Sequence, residues 1–143
     1  EQRFATAMPL AAVQRSVAPE ALRDAISPRD LPALRALDQL RPVLAQQTWG
    51  VTGSAGFELA TGIEALHAMS DLDLLLRTPA PLDRRDAQDL LAILDTAACA
   101  VDLQLQTPFG AVALREWAGG SRRVLLKTAR GAHLVLDPWQ AVA

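Results

Sequence analysis

Apolar residues recur along this 143-residue chain in two rhythms, and the changes between them mark out helices and strands. Leu31, Leu34, Leu37, Leu40 and Leu44 keep helical spacing behind Ser27-Pro28, which reads as an N-cap followed by a helix start. Pro42 falls inside this pattern and is expected to kink or end the helix. Upstream, Pro19-Glu20 opens a short helical stretch with Leu22 and Ile26 facing inward. Residues 49–52 read as a short strand ended by Gly53. Residues 54–61 then read as a helix with Ser54 at the N-cap and Gly62 closing it. Residues 71–77 form a Leu-rich strand stopped by Thr78-Pro79-Ala80-Pro81, and residues 83–97 a helix with Ala87, Leu90, Leu91 and Leu94 on one face. From 101 to 107 the alternation is clean, Val101, Leu103 and Leu105 against Asp102, Gln104 and Gln106. Residues 110–114 and 123–128 are further strands, and 123–128 with 132–136 bracket Ala129-Arg130-Gly131 as a hairpin turn.

This order predicts an α+β fold: a mixed sheet with helices packed on one side. Residues 1–18 are weakly patterned and read as the tail of a preceding small domain. The chain opens at Glu1 without Met and with no clear first element, so more chain is expected upstream.

Composition narrows the function classes. Half of the residues are hydrophobic and 21% are charged, enough for a packed core. The formal net charge of -2 argues against a general nucleic-acid binder. Arg84-Arg85 and Arg122-Arg123 read as solvated surface charge. The single cysteine, Cys99, excludes an internal disulfide and sits in an apolar run as a small hydrophobe. His67 and His133 are too few and too distant for a histidine metal site. No run approaches a membrane span and no signal peptide is visible, so a soluble, cytoplasmic protein is expected. Trp49, Trp117 and Trp139 read as packing residues, and Glu58 and Thr61 as structural.

The chemistry gathers in the middle of the chain. On a strand, Asp71 and Asp73 share one face, about 7 Å apart, and repel each other. A hard divalent cation such as magnesium removes that cost. Asp102 lies on the polar face of the next clear strand, so adjacent pairing brings a third acid beside them, enough for two metal ions. Upstream, Gly53-Ser54-Ala55-Gly56 joins a strand to a helix, offering free N–H groups, a helix dipole and a hydroxyl to phosphates. Each motif alone is weak, whereas the combination is specific.

Gly53-Ser54, Asp71-x-Asp73 and Asp102 resemble the polymerase-beta-like nucleotidyltransferase superfamily. The strings WGVTGSAGFELATG (49–62), SDLDLLLR (70–77), VDLQLQTP (101–108), RVLLKT (123–128) and DPW (137–139) are similar to phosphoribosyl-dephospho-CoA transferases of malonate decarboxylase. That resemblance implies a nucleotidyltransferase catalytic domain over 27–143, preceded at 1–26 by the remnant of a small N-terminal domain or linker. It implies transfer of a 2'-(5''-phosphoribosyl)-3'-dephospho-CoA group from its triphosphate donor to a serine of the apo acyl carrier subunit, with pyrophosphate leaving. Under it, Asp71 and Asp73 hold the metal on the triphosphate, and Asp102 completes a second metal site or acts as base. Gly53 and Ser54 then grip the pyrophosphate. The polar-face Gln104 and Lys127, the only lysine, are candidate substrate contacts. The alternatives are another nucleotidyltransferase, adenylylating a small molecule or a protein, or a non-catalytic domain that binds nucleotide or docks a carrier.

Overall fold

The computed structural model describes residues 18–141. A 3₁₀ turn (Pro19–Leu22) precedes helix α1 (Pro32–Leu44), strand β1 (Trp49–Thr52), helix α2 (Gly53–Thr61) and strand β2 (Leu72–Arg77). Helix α3 (Arg84–Leu94), strands β3 (Val101–Thr107) and β4 (Gly110–Ala113), helix α4 (Leu114–Ala118), β5 (Val124–Thr128) and β6 (Gly131–Val135) follow. The six strands form one mixed sheet in chain order, and the α+β expectation holds.

Strand β1 runs antiparallel to β2, β2 runs parallel to β3, and β3 to β6 form an antiparallel meander. Alternation decides which face is covered. Leu72, Leu74 and Leu76 of β2, Val101, Leu103 and Leu105 of β3, Val112 of β4, and Val124 and Leu126 of β5 are buried. They share one core with Leu34, Leu37, Leu40 and Leu44 of α1, Ala87 and Leu94 of α3, and Leu114 and Trp117 of α4. The opposite, open face carries Asp73 and Arg77 of β2, Asp102, Gln104 and Gln106 of β3, and Lys127 of β5. Near its β1 edge the 3₁₀ turn rests on Gly50, where a Cβ would lie 2.0 Å from the Pro19 carbonyl carbon. Glu20 of that turn pairs with Arg77.

Several local expectations are corrected. Ile26 is 88% exposed rather than inward, whereas Leu22 is buried as expected. Ser27-Pro28 does not start a helix. The Ser27 hydroxyl accepts from the Arg29 N–H at 3.2 Å in a local turn, and α1 begins at Pro32 behind an extended Leu31. Pro42 neither ends nor breaks α1, which runs on to Leu44. Lying in the last turn, it forfeits one intrahelical bond with little helix left to disrupt. Residue 114 is not strand but the start of α4, a helix that the sequence pattern does not predict. Helix α3 is shorter than 83–97, because Asp83 is its N-cap, accepting from the Asp86 N–H at 2.8 Å. Arg84 is not merely solvated. Its Nη1 donates to the carbonyls of Trp117 and Gly119 at 3.1 and 2.8 Å, and its guanidinium lies 4.2 Å from the Trp117 ring centroid. All three tryptophans are buried packing residues, as expected, and Trp117 and Trp139 meet edge-to-face at 5.4 Å. No helix among the described residues is long and apolar enough to cross a membrane.

Candidate active site

The site lies where β1, β2 and β3 present one row of open-face residues. Thr52 is the register partner of Asp73, and Asp73 is the partner of Asp102 on the parallel strand β3. The two aspartates are therefore lateral neighbours, about 5 Å apart in the sheet. Asp71 is not in the strand, which corrects the expectation of a 71–77 strand: β2 starts at Leu72, whose N–H donates to the Ala100 carbonyl at 3.0 Å. Asp71 is exposed one residue before the strand, close enough to act on Asp73.

Electrostatics marks Asp73 out. Burial pushes its carboxyl above the usual carboxylate range, and the charges of Asp102 and then Asp71 push the same way. Such an arrangement opposes folding unless something positive joins it. Among the described residues no three His, Cys, Asp or Glu side chains converge into a ready cage. The donors present, carboxylate oxygens of Asp71, Asp73 and Asp102, still fit magnesium. That ion commonly takes one or two carboxylates and completes its shell with water and substrate phosphates.

The candidate phosphate cradle is the N-terminus of α2. Thr52 is its N-cap in extended conformation without a side-chain cap bond, leaving the first-turn amides open to a ligand. Ser54 is therefore not the N-cap that the sequence pattern predicts. It is the second helical residue, with its side chain exposed. Gly53 has φ of 62°, and a Cβ on it would fall 2.1 Å from Asp73 Oδ2. Only glycine lets the helix N-terminus and the Asp73 carboxylate meet this closely. Replacing Gly53 by Ala should force the carboxylate aside and strain the backbone by roughly 1–2 kcal/mol. The expected result is about a 100-fold loss in kcat/KM with the circular dichroism spectrum retained.

Glu58 on α2 is 5% exposed. Its Oε1 accepts from Arg29 Nη1 at 2.6 Å and from the Ala65 and Leu66 N–H groups at 2.8 and 3.0 Å. These bonds pin the loop that delivers Asp71. Burial works against the charged carboxylate, but the two backbone donors and Arg29 outweigh it and hold Glu58 below its ordinary value. Thr61 accepts from the Ile63 N–H and donates to the Phe57 carbonyl, closing α2 next to Gly62 at φ 75°. Both residues act structurally, as expected.

Gln104 Nε2 donates to Asp102 Oδ1 at 3.0 Å, and its own Oε1 is buried without a partner. Gln104 thus orients Asp102. Lys127 shares the open face but not the row: it pairs with Ala111, which pairs with Gln106. Strand geometry puts it about 16 Å from Asp102. Cys99 is partly buried against the core, where burial pushes its thiol up, which suits a packing residue. Not anticipated is the exposed ion pair between Arg115 and Asp95 at 2.5 Å, beside the start of β3. No sequence signal marks Arg115, because α4 has five residues and no period.

The chain matches the family described as "Phosphoribosyl-dephospho-CoA transferase MdcG C-terminal domain" over residues 21–138. It belongs to that family. Curated relatives named phosphoribosyl-dephospho-CoA transferase agree along nearly the whole chain. The one from Pseudomonas fluorescens (strain Pf0-1) is 60% identical over 141 residues, covering 97% of this chain and 68% of the relative. That of Pseudomonas putida (strain GB-1) is 58% identical, covering 98% and 69%, and that of Azotobacter vinelandii 54% identical, covering 100% and 71%. No solved structure matches the chain significantly. Membership makes the protein a transferase, and within the family match lie Gly53, Ser54, Asp71, Asp73, Asp102, Gln104 and Lys127.

Proposed function

We propose that this protein transfers the phosphoribosyl-dephospho-CoA group from its triphosphate donor to a serine of the apo acyl carrier subunit of malonate decarboxylase, releasing pyrophosphate. The observation that carries this reading is the row Gly53, Asp73, Asp102, in a chain 60% identical to a named phosphoribosyl-dephospho-CoA transferase. The α2 N-terminus, with Gly53 and Ser54, holds the leaving phosphates at one end of the row. Asp102, oriented by Gln104, stands at the other end and takes the proton of the attacking serine. Asp71 and Asp73 would hold magnesium, which when bound neutralises charge on the triphosphate. Lys127, far along the same face, suits a second anionic group of a long donor. We assign these tasks to residues 27–143 as the catalytic unit, working in the cytoplasm.

The test is direct. Purified protein, apo carrier, triphosphate donor and magnesium should give a carrier mass increase of one phosphoribosyl-dephospho-CoA unit and one pyrophosphate per carrier. No mass shift with a competent apo carrier would overturn the reading. Chelating the magnesium should stop both products.

A further inference from the structure

We propose that the far part of the open face, at Lys127, Leu125 and Leu134, recognises the dephospho-CoA portion of the donor. Lys127 meets its diphosphate, and the two leucines carry the start of its pantetheine arm. The inference rests on the transfer reading above and adds which part of the donor this face selects.

The sheet register sets these residues on the same face as the acids. Gln106, on the Asp102 side of β3, stands opposite Ala111 of β4, and Ala111 opposite Lys127 of β5. Leu125 lies two residues before Lys127 and shares its face. Its partner on β6 is Leu134, close enough for the two side chains to interact. Leu134 is 67% exposed and Lys127 is exposed as well, so a cation lies beside an uncovered apolar pair. Between this group and the acids, β4 presents only the methyl groups of Ala111 and Ala113.

The donor's own covalent length decides what reaches Lys127. In-line displacement sets the leaving and attacking oxygens at the two ends of the aspartate row. The ribose on the reacting phosphorus therefore departs sideways, where the open face continues along the strands. That ribose hangs from the 2' oxygen of an adenosine whose 5' oxygen bears the diphosphate and the pantetheine arm. The path from the reacting phosphorus to the nearer phosphorus of the diphosphate has about twelve bonds and spans roughly 14 Å when extended. Strand geometry separates Lys127 from Asp102 by about 16 Å, a gap that the long lysine side chain closes. Beyond the diphosphate the arm opens with a carbon bearing two methyl groups, which suits the leucine pair. The leaving pyrophosphate has no such tail, so an ammonium beside two leucines matches the CoA end and not the reacting end.

Lys127 and Leu134 are exposed, so both can be changed without emptying the core. With the unaltered protein, dephospho-CoA should inhibit competitively against the donor and not against the carrier. Lys127→Gln should raise the donor KM and the dephospho-CoA inhibition constant about 10-fold, and Leu134→Ser about 3-fold. The carrier KM should change by less than about two-fold in either variant. A donor shortened to triphosphoribosyl-adenosine, without diphosphate or arm, should keep the same KM in parent and variants. Equal penalties on the full and shortened donors, or none on either, would overturn the assignment. A raised carrier KM would overturn it too, giving this face to the acceptor. An unaltered protein that transfers nothing to a competent apo carrier would sink the function itself. Calorimetric binding of dephospho-CoA that ignores both substitutions would sink this site alone.

Discussion

Asp73→Asn is expected to lower the rate of transfer by about 100- to 1000-fold or more and, in the same protein, to raise the melting temperature of the unliganded form. The two effects share one cause. The Asp73 carboxyl is pushed up by burial and by Asp102 and Asp71, so its ionised form costs folding energy. A raised acid destabilises the fold above its folded-state pKa and not below its unfolded value, so the gain from Asn should be present at neutral pH and vanish in acid. Scanning calorimetry at neutral and at acid pH, beside a transfer assay, checks both halves. A variant that lost activity and stability together would show instead that Asp73 supports the fold. Asp102→Asn relieves the same repulsion and keeps an amide oxygen to accept from Gln104, but Asp102 is exposed, so its stability gain should be smaller.

Glu58→Ala is expected to be strongly destabilising. It strands a partly buried guanidinium contact and two loop amides, for a cost of about 3 kcal/mol, or about 10 °C in Tm for a domain of this size. Glu58→Gln should recover part of it, since an amide oxygen can still accept from Ala65 and Leu66. The pH dependence has a definite sign. Because the folded carboxyl lies below its ordinary value of 4.5, its contribution is complete above that value and is lost as pH falls through the lower folded pKa. Urea titrations of both variants against pH should therefore converge with the parent in strong acid. Parallel curves across the acid range would argue that packing, and not the charge, is what Glu58 supplies.

Much of this arrangement is legible in the residues. Seven positions of alternation mark β3 and the open side of Asp102, because period two over that length suits only a strand with one covered face. The Leu-rich run after Asp71 locates β2 but not its first residue, since continuous apolar stretches mark no edge. At the start of α1 a serine-proline pair competes with Pro32, and the proline that holds the preceding residue extended wins. Helix α4 is invisible in the pattern because five residues cannot display a helical period. The contact between Gly53 and Asp73 depends on the register between β1 and β2, a long-range fact that no local spacing encodes. For the same reason the acids can be grouped from sequence, but not ordered along a row.

The spatial order of the strands repeats their order in the chain. Most of the sheet can therefore grow by joining neighbours, with little loop entropy at each step. The largest span to be closed is the crossover of residues 78–100, which carries α3 and sets β3 alongside β2. That closure is also the moment at which Asp73 first meets Asp102. The longest loop closure in the sheet and the meeting of the two open-face acids are therefore one event, and the site is complete only once it has occurred.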